Sequence, residues 1–185
     1  MSSSSKTNKT ISVITIILGV IAVAIGVVLL FFGVKNVWQT IAWIVGLIAM
    51  IPSFFYACNG YRKDFAVYYK AFMGLYSLSA LITLASGLII CVTGNYPSYL
   101  SSVSNFIVLI GCVILTFVKN FGKQKSIITA FCILAAQLVS FIRMLVLYIN
   151  NLNIFLNASM NLVVAIVICL FVYAKYLDKA ERGTK

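Results

Sequence analysis

An all-α integral membrane protein with six transmembrane helices, arranged as three hairpins with both termini on the cytoplasmic side, is the fold class this sequence predicts. Three observations predict it. Of 185 residues, 63% are hydrophobic and only 9% charged, and the mean hydropathy is +1.09. A water-soluble domain of this size has no core large enough to hide that much apolar surface. Apolar runs of about 20 residues, the length that crosses a bilayer core, recur six times. Lysine and arginine crowd into alternate gaps between those runs, the pattern expected of loops that stay on the cytoplasmic side.

The first ten residues, MSSSSKTNKT, are polar and basic and read as a disordered cytoplasmic segment. The apolar run at 11–34 is too long for a signal-peptide core and has no small-residue cleavage site behind it, so it reads as a retained first helix. After the short gap KNVW a second helix is expected at 39–58, with Pro52 kinking it near its inner end by removing a backbone donor. The basic stretch NGYRKDF separates it from a helix at 68–93, and GNYPS separates that from one at 99–118. A second basic stretch, KNFGKQK, leads to 126–149, and NNLN leads to 154–177. Residues 11–177 thus form one transmembrane domain, and 178–185 form a solvated cytoplasmic tail without a lipidation motif.

The charges orient this domain. Lys6, Lys9, Arg62, Lys63, Lys70, Lys119, Lys123, Lys125, Lys175, Lys179, Arg182 and Lys185 fall on one side and Lys35 alone on the other. That bias puts the termini and both basic loops in the cytoplasm. There they face anionic lipids of the inner leaflet. In a soluble domain the net charge of +11 would suggest nucleic acid, but a charge confined to short loops between apolar runs is an insertion signal. Trp38, Trp43, Tyr96, Tyr99 and Tyr148 fall near the outer boundary and Tyr56, Tyr61, Tyr68, Tyr69, Tyr173 and Tyr176 near the inner one, as two interfacial belts would. The outer turns and the inner basic clusters recur at near-equal spacing, which evenly looped hairpins give with or without triplication. Small residues four apart, Ala22 and Gly26, Ala42 and Gly46, Ala136 and Ser140, are expected to pack helices within the chain.

Several chemistries are excluded by composition. There is no histidine, and the only carboxylates are Asp64, Asp178 and Glu181. Metal sites, nucleophile–histidine pairs and paired carboxylates all need residues that are missing, so no enzyme, metal or cofactor is expected. Cys58, Cys91, Cys112, Cys132 and Cys169 are scattered without a CxxC pair and build neither a zinc site nor a disulfide framework. An intramembrane serine–lysine dyad would need a lysine deep in a span, and Lys70 sits at an edge.

Arg143 is the exception to an apolar fifth helix. An arginine at helix-centre depth costs about 2.5 to 3.5 kcal/mol on insertion scales. It lies six residues, about 9 Å, below the outer end of its helix, and its Cβ leans toward a cytoplasmic N-terminus, away from the nearer surface. No carboxylate falls within a span or on the outer face, so its charge must be met by water, backbone and amide groups, a lipid phosphate or an anionic ligand. Gln137, Ser140 and Arg143 follow at three-residue intervals, with Asn150 at the helix end, Asn157 and Asn161 one turn apart on the sixth helix, and Asn105 in the outer turns of the fourth. The inner halves of these helices are almost wholly apolar.

This asymmetry predicts a polar pocket open to the extracytoplasmic side, in which Arg143 holds a small anionic solute and the amides orient it. The expected protein is a transport-type protein of a prokaryotic cytoplasmic membrane. Its layout resembles, in helix number and topology, the substrate-binding subunits of energy-coupling-factor vitamin transporters, which dock a transmembrane partner through alanines; only the Ala22 to Gly26 spacing corresponds here. The resemblance implies a membrane partner subunit. The competing reading is a non-catalytic scaffold, a stress or immunity protein, or an accessory subunit or homo-oligomer, in which Arg143 anchors at the headgroups and the asparagines tie helices together.

Overall fold

The computed structural model describes residues 3–33, 37–61, 66–92, 99–118, 121–148 and 150–182, with side chains except at 3–7, 90–92, 99–101, 148 and 177–182. Six helices account for nearly all of it: α1 Ser3–Phe32, α2 Val37–Cys58, α3 Ala66–Val92, α4 Tyr99–Phe117, α5 Lys123–Tyr148 and α6 Leu152–Arg182. No strand occurs among the described residues. Five helices, all but α4, are long and apolar enough to cross a membrane, while the apolar stretch of α4, Ser102–Phe117, is shorter. The outside of the bundle carries large apolar side chains on every helix, among them Ile17, Ile48, Leu81, Phe106, Val139 and Leu152. Water would penalise that surface and lipid does not. The chain is a helical, multi-pass membrane protein.

The helix boundaries fall within a few residues of the hydropathy boundaries except at the two ends of the chain. Residues 3–10, expected to be disordered, continue α1 as helix, and α6 runs to Arg182 through the expected tail at 178–185. Apolar runs mark where lipid begins, whereas a helix already nucleated adds polar residues at little cost. Pro52 lies inside α2, which continues past it to Cys58.

Each helix packs against its neighbours in sequence, and α1 packs against α6, so the six form a closed ring. Adjacent helices are antiparallel. Gly19 lies against Phe54, and Gly26 against Leu47 on α2 and Met160 on α6. Ser79 Oγ on α3 donates to Ala42 O on α2 (2.8 Å), Ser104 Oγ on α4 to Ala136 O on α5 (2.9 Å), and Cys169 Sγ on α6 to Ala130 O on α5 (3.2 Å). Short side chains let these backbones approach, and their hydroxyl or thiol finds a carbonyl on the next helix. The six small residues predicted to pack helices all belong to such contacts or to helix-facing positions: Ala22 and Ala42 are buried, and Gly46 meets Ser79 Oγ.

The ring has a terminal end, where α1 starts and α6 finishes, and a far end that holds the three other turns. Its axis is filled at the terminal half by aromatic rings. Phe171 meets Phe72 at 5.1 Å, Tyr56 at 5.5 Å and Tyr61 at 5.6 Å between centroids, and Tyr56 meets Tyr61 at 5.2 Å. Tyr56, Tyr61 and Tyr69, expected in an interfacial belt, are therefore core residues. Trp43 is likewise buried, beside Leu29 and Met160 in the far half. Trp38 and Tyr173 are exposed as a belt requires. Tyr96 lies outside the described residues, as do the side chains of Tyr99 and Tyr148.

Tyr61 reaches the core from a turn. Gly60 and Tyr61 both have positive φ (61° and 60°), and Tyr61 N bonds Tyr56 O while Gly60 N bonds Ala57 O. This paired closure is a Schellman cap on α2, which glycine fits without strain and tyrosine does not. The strain at Tyr61, of order 1 to 2 kcal/mol, is offset by its burial and by a 2.6 Å hydrogen bond between its hydroxyl and Thr15 Oγ1 on α1.

Candidate functional site around Arg143

The inner face of α5 is set by spacing. Ser126, Ala130, Ile133, Gln137 and Ser140 are buried at intervals of three or four residues, while Ile128, Phe131, Val139, Ile142 and Val146 point outward. Arg143 follows Ser140 by three residues, on the flank of that face. It is half-buried, and its Nη1 is fully buried with no hydrogen-bond partner. On one side of α5 the Ser104 to Ala136 bond fixes α4. On the other side the Phe141 and Phe155 rings, 5.9 Å apart, fix α6.

The predicted site residues all belong to the far half of the bundle, but they are not equivalent. Gln137 and Ser140 are buried at 4% and 6% exposure. Asn105, Asn157 and Asn161 are half-buried, and Asn150 is exposed at the α5–α6 turn. Asn157 Oδ1 accepts a hydrogen bond from Trp43 Nε1 (3.0 Å), which ties α6 to α2 across α1. Ser140 and Asn157 lie within about a turn of one level, because Phe141, next to Ser140, and Phe155, two residues before Asn157, are in ring contact. Asn151 caps α6, its Oδ1 accepting from Ile154 N (3.3 Å).

The three carboxylates belong by sequence to the α2–α3 connection and to the last turns of α6. By sequence all three belong to the end of the bundle opposite Arg143. An amide, a hydroxyl and a guanidinium thus share just under two turns of helix with no acid among them. Such a set can receive an acceptor-rich anion: Nη1 supplies charge-assisted donation, and Gln137 adds donor and acceptor capacity. Lys35, Asn36, Arg62, Lys63, Asp64, Asn95, Lys119, Ile149 and Lys185 lie outside the described residues, as do the side chains of Cys91, Ser101, Asp178, Lys179, Glu181 and Arg182.

Two polar features escaped the sequence. Trp43 as the partner of Asn157 joins residues far apart in the chain, which no local pattern signals. At the terminal end, Asn8, Ser12 and Thr15 follow one another along α1, Thr15 bonds Tyr61, and Asn8 Oδ1 and Ser12 Oγ are buried without a partner. Burial pushes the Tyr61 phenol up to about 12, against the opposing pull of the Thr15 hydroxyl bonded to it. The spacing of Asn8, Ser12 and Thr15 by four and three residues is a polar stripe on an apolar helix and was readable. Compared with known proteins, no family model matches the chain, and neither a curated protein nor a solved structure matches it.

Proposed function

We propose that the chain spans the cytoplasmic membrane six times, as three hairpins with the terminal end in the cytoplasm, and binds a small anionic solute from the extracytoplasmic side through Arg143. It works in this reading as a transport-type membrane protein, alone or as the solute-binding subunit of a larger transporter. The observation that carries the reading is the buried, unpartnered Nη1 of Arg143. A buried donor of a charged group without an acceptor costs several kcal/mol, and no acid is at hand to offset it. A snorkelling anchor would bring its guanidinium out to the headgroups; this one keeps Nη1 inside the bundle. Gln137 and Ser140, buried on the adjoining face, supply the neutral groups that orient a bound carboxylate or phosphate.

Sequence restricts the energetics. The spans carry no carboxylate, the usual relay for protons or sodium, so transport is downhill or is driven by a partner subunit. Asn157 and Ser104, by contrast, are engaged in holding helices together, and their role in this reading is to fix the walls of the site.

Ligand-induced thermal stabilisation tests the proposal. Purified protein in detergent is melted with a panel of small carboxylates and phosphate esters, alongside Arg143→Gln. At least one anion is expected to raise Tm saturably, by about 2.7 kcal/mol of stability at 100 times its Kd, with the effect lost in Arg143→Gln. A panel that leaves the wild-type Tm unmoved, or an effect that survives in Arg143→Gln, contradicts it.

A further inference from the structure

The outer surface of the bundle is notched where α5 and α6 meet toward the terminal end. The hollow there measures about 200 Å³ and is lined by Ile127, Ala130 and Phe131 of α5 and by Cys169, Leu170 and Tyr173 of α6, among others. Ala130 is buried and forms its floor, while Phe131 and Tyr173, exposed at 62% and 47%, flank its mouth. The groove therefore opens on the lipid-facing outside.

Hydrogen bonds between the two helices fix its width. On the side of the chain ends, Ser126 Oγ lies 2.7 Å from the Tyr176 hydroxyl, which donates to Phe121 O (2.9 Å). Deeper in, Cys169 Sγ donates to Ala130 O (3.2 Å). The small alanine leaves the space, and these clasps hold α5 and α6 in place around it. With the thiol engaged, the slot is apolar apart from the Tyr173 phenol.

Lys123 places a charge in register with this slot. Lys123, Ile127 and Phe131 follow at four-residue steps, so they share the face of α5 that walls the groove. Lys123 is exposed and stands one turn, about 6 Å along the helix, nearer the chain ends than Ile127. By length and composition the apolar span of α5 begins at Lys123 and that of α6 ends at Tyr176. The lysine is then at headgroup depth and the groove just beneath it, among acyl chains. Of the chain's 14 lysines and arginines, all but Lys35 and Arg143 belong by sequence to this end, and its 3 carboxylates, even if every one were paired, leave the end strongly positive.

We propose that this groove binds one acyl chain of an anionic phospholipid, with the headgroup phosphate on Lys123. An apolar slot takes a hydrocarbon chain. A cation one turn away, in a strongly positive end, selects a negative headgroup over a zwitterionic one. The groove is independent of the Arg143 site, which lies toward the other end of α5.

The full-length protein is released from nanodiscs of phosphatidylcholine and phosphatidylglycerol with matched chains, and native mass spectrometry counts the lipids it retains. Wild type is compared with Lys123→Gln, with Phe131→Ala, which removes one wall, and with Lys70→Gln, which removes an exposed lysine of the same end from α3. Wild type is expected to retain phosphatidylglycerol in preference to phosphatidylcholine. Retention should fall roughly fivefold in Lys123→Gln, fall also in Phe131→Ala, and stay unchanged in Lys70→Gln. Equal retention of the two lipids by wild type, unchanged retention in Lys123→Gln or Phe131→Ala, or an equal fall in Lys70→Gln overturns the proposal. A lipid-free dimer that Phe131→Ala reduces to monomer also overturns it, because a second copy would then fill the groove. Should the variants fail to fold, wild type is photolabelled with phosphatidylglycerol carrying a diazirine in its acyl chain. Label on residues 127–131 and 169–173, competed by phosphatidylglycerol and not by phosphatidylcholine, supports the site; label spread evenly over the outer faces of all the helices overturns it.

Discussion

Arg143 and Tyr61 are the two side chains that apolar packing leaves unexplained. Arg143 stood out in the sequence because a charge interrupts an apolar run, while the three carboxylates all fall outside the expected spans. Tyr61 did not stand out: a tyrosine beside a basic loop looks like a belt residue, and only a left-handed turn at Gly60 and Tyr61 sends it into the core. Replacing Tyr61 by Phe removes the 2.6 Å bond to Thr15 and is expected to cost about 1 kcal/mol near neutral pH, measured by thermal unfolding in detergent. The same pair of proteins reports on titration. The phenol of Tyr61 is raised from 10.0 to about 12, so the folded state holds its proton more tightly than the unfolded state. Its contribution is fully present below pH 10 and is lost as pH rises from 10 toward 12. The wild-type advantage over Tyr61→Phe should therefore be constant up to pH 10 and shrink above it. An advantage that grows with pH would mean that the phenolate is the form the fold prefers.

At the scale of helices, hydropathy found all six elements, five of which have the length and apolar character that a membrane imposes. It missed the helical turns at 3–10 and 178–182, where no such length applies. The small-residue spacings at Ala22, Ala42 and Ala136 were legible as packing faces, but which helix each would meet was not, since that depends on ring closure between α1 and α6. Glycine substitutions separate the close contacts from the open positions. A Cβ at Gly26 would fall 2.8 Å from Leu47 Cδ2, and one at Gly111 would fall 2.6 Å from Ile133 Cδ1, whereas one at Gly74 would meet nothing within 4 Å. Gly26→Val and Gly111→Val are expected to destabilise the bundle by about 1 to 3 kcal/mol each through overpacking. Gly74→Ala should be neutral or gain up to about 1 kcal/mol of helix propensity. Unfolding in a detergent series ranks the three; a Gly111→Val protein as stable as wild type would show that α4 and α5 do not approach this closely.

For the whole molecule, a closed antiparallel ring of six helices puts the chain ends and the two basic connections together at one end. In the proposed topology the positive-inside bias gives that end to the cytoplasm and Arg143 lies toward the opposite face. On a cysteine-free background, single cysteines introduced at 35, 95 and 151 should react with a membrane-impermeant maleimide in intact cells. Cysteines at 63, 121 and 184 should react only after the cells are opened. The polar composition of the far end was readable as an asymmetry between helix halves; the bond from Trp43 to Asn157 was not, because those residues lie far apart in sequence. The Arg143 site itself is tested most directly by an experimental density map of the protein in nanodiscs at the Nη1 atom of Arg143. Ordered non-protein density bridging Nη1 and the Gln137 or Ser140 side chain, absent from Arg143→Gln, is the expected result. A lipid headgroup phosphate at that place in every preparation, or a protein carbonyl bonded to Nη1, would contradict it.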